Sequence, residues 1–327
     1  MTQLWDGLYR QFLPVDEILT LPAALRSRVA ALHPPSLVEV QRVISDDGET
    51  VKFLWHLADG LHPIETVLMY YRDRATVCVS TQAGCAMACG FCATGQAGFT
   101  RHLTPGEIVE QVVRTAREAR ALEQRIDNIV FMGMGEPLAN EEAVWAAVER
   151  IHGDIGISAR HLTISTVGIV PGIRTLAARP LPVNLAVSLH AARNDLRDEL
   201  VPINRRYPLE ALMTACRDYL AAKNRRITFE WALIDSVNDT DRDADELADL
   251  CRQLSPAAHV NLIPLNPTPG WPTVGSSPAR VRSFQQRLRD QSVNATTRQN
   301  RGTDIAAACG QLAAGQPVRV SPKPPRR

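Results

Sequence analysis

The stretch Ala75–Gly95, ATVCVSTQAGCAMACGFCATG, is where the chain reveals its organisation. It opens on a short strand-like run, Thr76–Ser80, and leads into three cysteines within eight residues: Cys85, Cys89 and Cys92. Thiolates are soft, strongly donating ligands that commonly hold iron–sulfur clusters, and this spacing lets one loop wrap one cluster. Three thiolates leave one iron of a [4Fe–4S] cube without a protein ligand, an open position of the kind that marks catalytic metal sites. Zinc with a fourth ligand such as His102, or a coincidence of spacing, fits the residues alone as well.

Outward from this stretch, strand-like runs recur at Asn128–Met132, His161–Ser165, Asn184–Ser188, Arg226–Leu233 and His259–Ile263. Helical spacing falls between them, over 105–120, 140–151, 170–178, 208–222 and 241–253, with a further stretch at 277–290. Pro105, Pro171 and Pro208 fall near helix starts, where a missing amide proton costs little. This alternation predicts a parallel sheet with crossover helices, either doubly wound or a partial (β/α) barrel of six strands. In both, chemistry sits at the C-terminal strand ends, and polar or Gly-rich motifs lie there: Gly133–Pro137, Ser165–Gly168, Ser188–His190 and Asn266.

Upstream, Val15–Leu32 has helical spacing, with Pro22 near a helix start. Gln41–Ser45, Thr50–His56 and Glu65–Met69 look like short strands, with Asp47-Gly48 as a hairpin turn. We expect an α+β appendage over 1–72, a core over 73–303, and a C-terminal segment with a basic tail over 304–327. The 22 prolines of the 327 residues gather partly in loop-like runs, and the tail after Gln316 is Pro- and Arg-rich.

A hydrophobic fraction of 45% with 22% charged residues suits a globular protein. The N-terminus lacks a charged start followed by an apolar run, and no stretch approaches a membrane span, so a cytoplasmic protein without membrane association is expected. In that reducing compartment the 7 cysteines serve metals or chemistry sooner than structural bridges. A net charge of +1 announces no nucleic-acid partner, but local positive density exists at Arg205-Arg206, at Lys223 with Arg225-Arg226, and at Arg280, Arg282, Arg287 and Arg289.

Cys85-Ala-Met-Ala-Cys89-Gly-Phe91-Cys92 matches the radical S-adenosylmethionine (SAM) signature, CxxxCxxC with an aromatic before the third cysteine. The longer string GCAMACGFCATGQAGFTRHLTPGEIVEQV resembles the RNA adenine methyltransferases that act at C2 (RlmN-like) and their C8-methylating relatives (Cfr-like). The resemblance continues through MGMGEP, TISTVGIVPGI, VSLHA, LRDELVPINRRY, VNLIPLNP and RGTDIAAACGQLA, about residues 45–315. It is closest to the C2 branch. The region ahead of Asp47-Gly48 is shorter than in typical members.

The resemblance implies a partial (β/α)6 barrel and a [4Fe–4S] cluster on Cys85, Cys89 and Cys92. It implies SAM contacts from Gly135, Glu136, Ser165, Ser188, Leu189, His190 and Asn266. Two SAM molecules serve each turnover, one as methyl donor and one as radical source. Cys309 is implied as the methyl-carrying cysteine, Cys78 as the cysteine that resolves the protein–RNA adduct by a disulfide with Cys309, and Glu65 as the acidic residue for proton transfer. The implied substrate is adenine C2 in 23S rRNA, possibly also tRNA, with flavodoxin or ferredoxin as electron donor to a monomer. C8 methylation, or a paralogue acting on another RNA or a small molecule, is the alternative. Cys216 and Cys251 read as packing residues.

Overall fold

The computed structural model describes residues 2–60, 62–254, 258–265, 271, 274–298 and 313. The N-terminal part has α1 (Thr2–Tyr9), a 3-10 turn at Val15–Glu17 and α2 (Ala23–Leu32), which begins just after Pro22. Strands β1 (Leu37–Ile44), β2 (Thr50–Leu57) and β3 (Pro63–Tyr70) follow as an antiparallel meander. Gly48, at φ +70°, makes the expected hairpin turn between the first two. β3 then pairs antiparallel with β4 (Ala75–Cys78), so the appendage is continuous with the rest of the sheet.

From β4 onward the sheet is parallel. Its further strands are β7 (Ile126–Phe131), β8 (Leu162–Thr166), β9 (Asn184–Ser188), β10 (Ile227–Leu233), β11 (Ala258–Pro264) and β12 (Ala295–Thr297). The order is β1-β2-β3-β4-β7-β8-β9-β10-β11-β12. A separate hairpin, β5 (Gln82–Gly84) with β6 (Phe99–His102), flanks the cysteine loop. The expected six parallel strands are present, and β12 adds a seventh beside β11.

The crossover helices form where the apolar spacing placed them. In α4 (Pro105–Ala121), Thr104 accepts from the Glu107 amide while the Glu107 carboxylate accepts from Thr104 N–H, and Ile108, Val109, Val112, Ala116 and Ala119 are buried on one face. α5 (Glu141–Arg150), α6 (Val170–Ala178), α8 (Leu209–Lys223), α9 (Asp241–Arg252) and α10 (Pro278–Asp290) repeat the pattern. Two short helices were not anticipated: α3 (Ala93–Gln96) inside the cysteine loop and α7 (Asn194–Leu200) after β9. One hydrophobic core joins Phe53, Trp55 and Leu68 of the meander to Val77, Ile129, Ile164, Val187, Phe229 and Leu262 of the parallel sheet.

Candidate active site

The cysteine loop hangs from a pinched base. Gly84 and Gly98 both have positive φ, and a Cβ on Gly84 would sit 1.9 Å from the Gly98 carbonyl oxygen. That oxygen accepts from Cys85 N–H at 2.8 Å, so only glycine allows the two arms to close. Inside the loop Cys92 N–H donates to the Cys89 carbonyl, which turns the second and third cysteines toward one another.

Cys85, Cys89 and Cys92 line one cavity of about 230 Å³ together with Gly135, Glu136, Ser165, Ser188 and His190. Burial pushes the Cys85 thiol up to about 12 and the Cys89 thiol higher still, with neighbouring thiols adding to both. The empty loop therefore holds protonated thiols, and metal loading must displace those protons. His102 does not join them: its Nδ1 lies 3.1 Å from Gln82 Nε2 on the flanking hairpin, so the zinc alternative lacks its proposed fourth ligand.

Glu136 is buried, and its carboxylate clamps two segments. One oxygen accepts from Leu138 N–H at 3.0 Å and the other from Val167 N–H at 2.8 Å. Burial nonetheless raises its pKa to about 7. Its own amide donates to Gln82 Oε1 at 2.8 Å, and Gly135, at φ +101°, has no room for a Cβ against Gln82. Each oxygen keeps a second lone pair that can accept from a cationic ligand.

Ser165 and Ser188 end adjacent parallel strands, with their hydroxyls 3.5 Å apart. His190 has φ +58°, which turns its ring back so that Nδ1 accepts from Ala232 N–H at 3.0 Å. That bond places the ring proton on Nε2, and burial lowers the His190 pKa to about 3, so the ring is a neutral donor at the cavity wall. Leu189 is the exception among these residues. It is fully buried and outside the cavity lining, its amide donating to the Glu230 carbonyl and its carbonyl accepting from Arg197.

A buried polar network couples the cavity to the meander. Ser80 Oγ donates to the Glu65 carbonyl at 2.6 Å and accepts from Met134 N–H at 3.0 Å, while Gln111 bridges Ser80 to Thr66. Glu65 itself is 2% exposed and pairs at 2.8 Å with Lys52, which is completely buried. Ala313 N–H donates to Glu65 Oε1 at 2.8 Å, which brings the C-terminal segment to this carboxylate. Cys78 ends β4 opposite Val67, and burial raises its pKa to about 11 while the Arg298 cation opposes the shift. Glu65 and Cys78 are not among the cavity-lining residues. Asn266 and Cys309 lie outside the described residues.

Three charged residues of the site went unremarked in the sequence. Glu230 and Arg298 line the cavity, and Glu230 Oε2 is buried without a hydrogen-bond partner among the described residues. Its other oxygen accepts from Asn261 at 3.0 Å. The signal for Glu230 was available, an acid inside the apolar run ITFEWAL. Arg197, the third, is completely buried.

Residues 79–251 match the Radical SAM superfamily. The chain is 54% identical to "Probable dual-specificity RNA methyltransferase RlmN" of Frankia casuarinae, over 95% of this chain and 77% of the relative. It is 50% identical to the protein of that name from Chloroflexus aurantiacus, over 97% and 86% of the two chains. Among solved structures, a radical SAM methyltransferase from Sphaerobacter thermophilus superposes with a TM-score of 0.91 at 51% identity, covering 94% of this chain and 91% of that one. Sequence, cavity and fold thus agree, and the chain belongs to the radical SAM superfamily and, within it, to the RlmN family.

Proposed function

We propose that the protein methylates C2 of adenine in 23S rRNA and in tRNA through a methylated-cysteine intermediate. The observation that carries this reading is the convergence of three loop cysteines with Glu136, Ser165, Ser188 and His190 on one cavity, in a chain half identical to RlmN proteins. The RlmN name of these relatives favours the C2 branch of the sequence resemblance over the C8 branch.

The family brings a [4Fe–4S] cluster and SAM, which when bound supply both the methyl group and the radical that activates it. The residues present fit both. Cys85, Cys89 and Cys92 would hold the cluster, and Gly135, Glu136, Ser165, Ser188, His190 and Asn266 would hold SAM. A carboxylate with spare lone pairs, two strand-end hydroxyls, a neutral imidazole donor and the unpartnered Glu230 oxygen suit a ligand with an ammonium, hydroxyls and an amine.

Cys309 would carry the carbon as a thioether and present it to the base. Glu65 would accept the proton that the base must lose. Its tie to Ala313, four residues beyond Cys309, supports a shared site for these two groups. Cys78 would then attack the Cys309 sulfur, so that carbon leaves with the RNA as a disulfide forms. Adenine must leave its stack to reach a buried site, which favours a loop adenine in structured RNA. Arg205, Arg206 and Arg226 are exposed and free to meet phosphate, whereas Arg280 and Arg287 bond Asp241 and Asp245 on α9. We further infer a cytoplasmic monomer reduced by flavodoxin or ferredoxin, with the division 1–72, 73–303 and 304–327. Among the described residues no helix is long and apolar enough to cross a membrane.

Anaerobic reconstitution, followed by assay on rRNA and tRNA with mass-spectrometric location of the modified base, tests the proposal. Modification at C2 is expected, and modification only at C8, or of no RNA, would overturn it. Cys309→Ala should abolish transfer while leaving cluster absorbance intact.

A further inference from the structure

Arg197 is a completely buried cation without a bonded anion. It sits on α7, and every hydrogen bond it makes among the described residues goes to a neutral oxygen. Nε donates to the Leu189 carbonyl at 3.1 Å and Nη1 to Asn204 Oδ1 at 2.8 Å. Nη2 donates to the Val167 carbonyl at 2.6 Å and the Ser188 carbonyl at 3.3 Å. These oxygens satisfy its N–H groups but do not cancel its charge, and an uncompensated buried charge is expensive. Burial accordingly lowers its pKa to about 10.

The nearest compensation comes from the cysteine loop. Cys89 packs in one apolar cluster with Leu196, Leu200 and Val201, on or just after the same helix, and with Val167, whose carbonyl Arg197 holds. Cys89 is the foremost negative partner of the guanidinium, ahead of Cys216 and Asp198. Cys216 is a buried thiol on α8 whose pKa burial raises to about 12, so at neutral pH it carries no charge. Asp198 is half-buried and already takes an Asn204 N–H at 2.6 Å. The charge therefore looks toward the three-thiolate loop.

We propose that Arg197 is the built-in counter-charge of the cluster: it makes the cluster easier to reduce, and its N–H groups fix the strand ends beside the cofactor cavity. It is a positioning residue that touches neither SAM nor iron. A fixed cation in a low-dielectric setting favours the more negative, reduced cluster, because its field is weakly screened. The inference rests on the reading that Cys85, Cys89 and Cys92 hold a cluster.

The test is a redox titration of the reconstituted full-length protein, read by the EPR signal of the reduced cluster at fixed ambient potential. Arg197→Gln should lower the reduced-to-oxidised ratio about tenfold, equivalent to 59 mV for a one-electron couple. Arg197→Lys keeps the charge and should hold the ratio within about threefold of wild type, on the scale of such electrostatic effects. Asp198→Asn removes the competing carboxylate from a half-buried position and should raise the ratio. This last variant decides the matter if Arg197→Gln does not fold. A ratio unchanged in Asp198→Asn, or lowered equally by Arg197→Lys and Arg197→Gln, would overturn the inference. Wild-type protein that takes up no iron would instead remove the cluster reading on which it stands.

Discussion

Glu136 and His190 face the same cavity with opposite proton preferences. Burial holds Glu136 up to about 7 from an ordinary 4.5 and His190 down to about 3 from 6.5. Between pH 4.5 and 7 the native protein keeps a proton on Glu136 that the unfolded chain gives up, so this stabilisation is full below 4.5 and is lost as pH rises through 7. His190 acts the other way: its contribution is full above 6.5 and is lost as pH falls toward 3. The two slopes oppose each other between 4.5 and 6.5. Glu136→Gln should therefore make cluster-free protein gain stability more steeply across that window, measured by denaturant unfolding, and curves parallel to wild type would refute the assignment. Lys52 offers a second test. Lys52→Met leaves Glu65 as an unpaired buried charge and should cost about 3–5 kcal/mol, much of it recovered in the Lys52→Met/Glu65→Leu double variant. The cysteine spacing was legible because metal ligation is local in sequence. Lys52, Arg197 and Glu230 were not, because the oxygens and amides that make a buried charge tolerable come from distant segments.

Elements were legible where one face alternates with the other over several turns, and illegible where the chain is short. The five crossover helices over 105–253 and the one at 278–290 follow their apolar stripes. β12, only Ala295–Thr297, has no pattern of its own and forms because α10 returns the chain beside β11. α7 buries just Arg197 and Leu200, so its sequence NDLRDEL looks like a solvated loop. The cysteine loop depends on its pinched base, which yields an element-scale prediction. Gly84→Ala would drive a Cβ into the Gly98 carbonyl at φ +74°, and should reduce iron uptake per protein on reconstitution several-fold while far-UV circular dichroism stays close to wild type. Full iron occupancy in that variant would mean that the loop closes in another way.

At the scale of the molecule, the appendage was expected as a separate unit, yet β3 and β4 pair directly and one core runs through both parts. Trp55 in the meander and Trp231 in β10 are both buried in that core. Single-tryptophan variants reporting on Trp55 and on Trp231 should unfold at the same denaturant midpoint. Separated midpoints would show that the meander is an independent folding unit. The same continuity puts Lys52, Glu65, Ser80 and the cavity rim on a single rigid frame, and Ala313 reaches that frame from the far end of the chain. The Glu65 oxygen it occupies is thus already stoppered by the protein's own backbone. An incoming base that needs this oxygen has to evict an amide first, so the resting enzyme keeps its carboxylate covered until something with a better claim arrives.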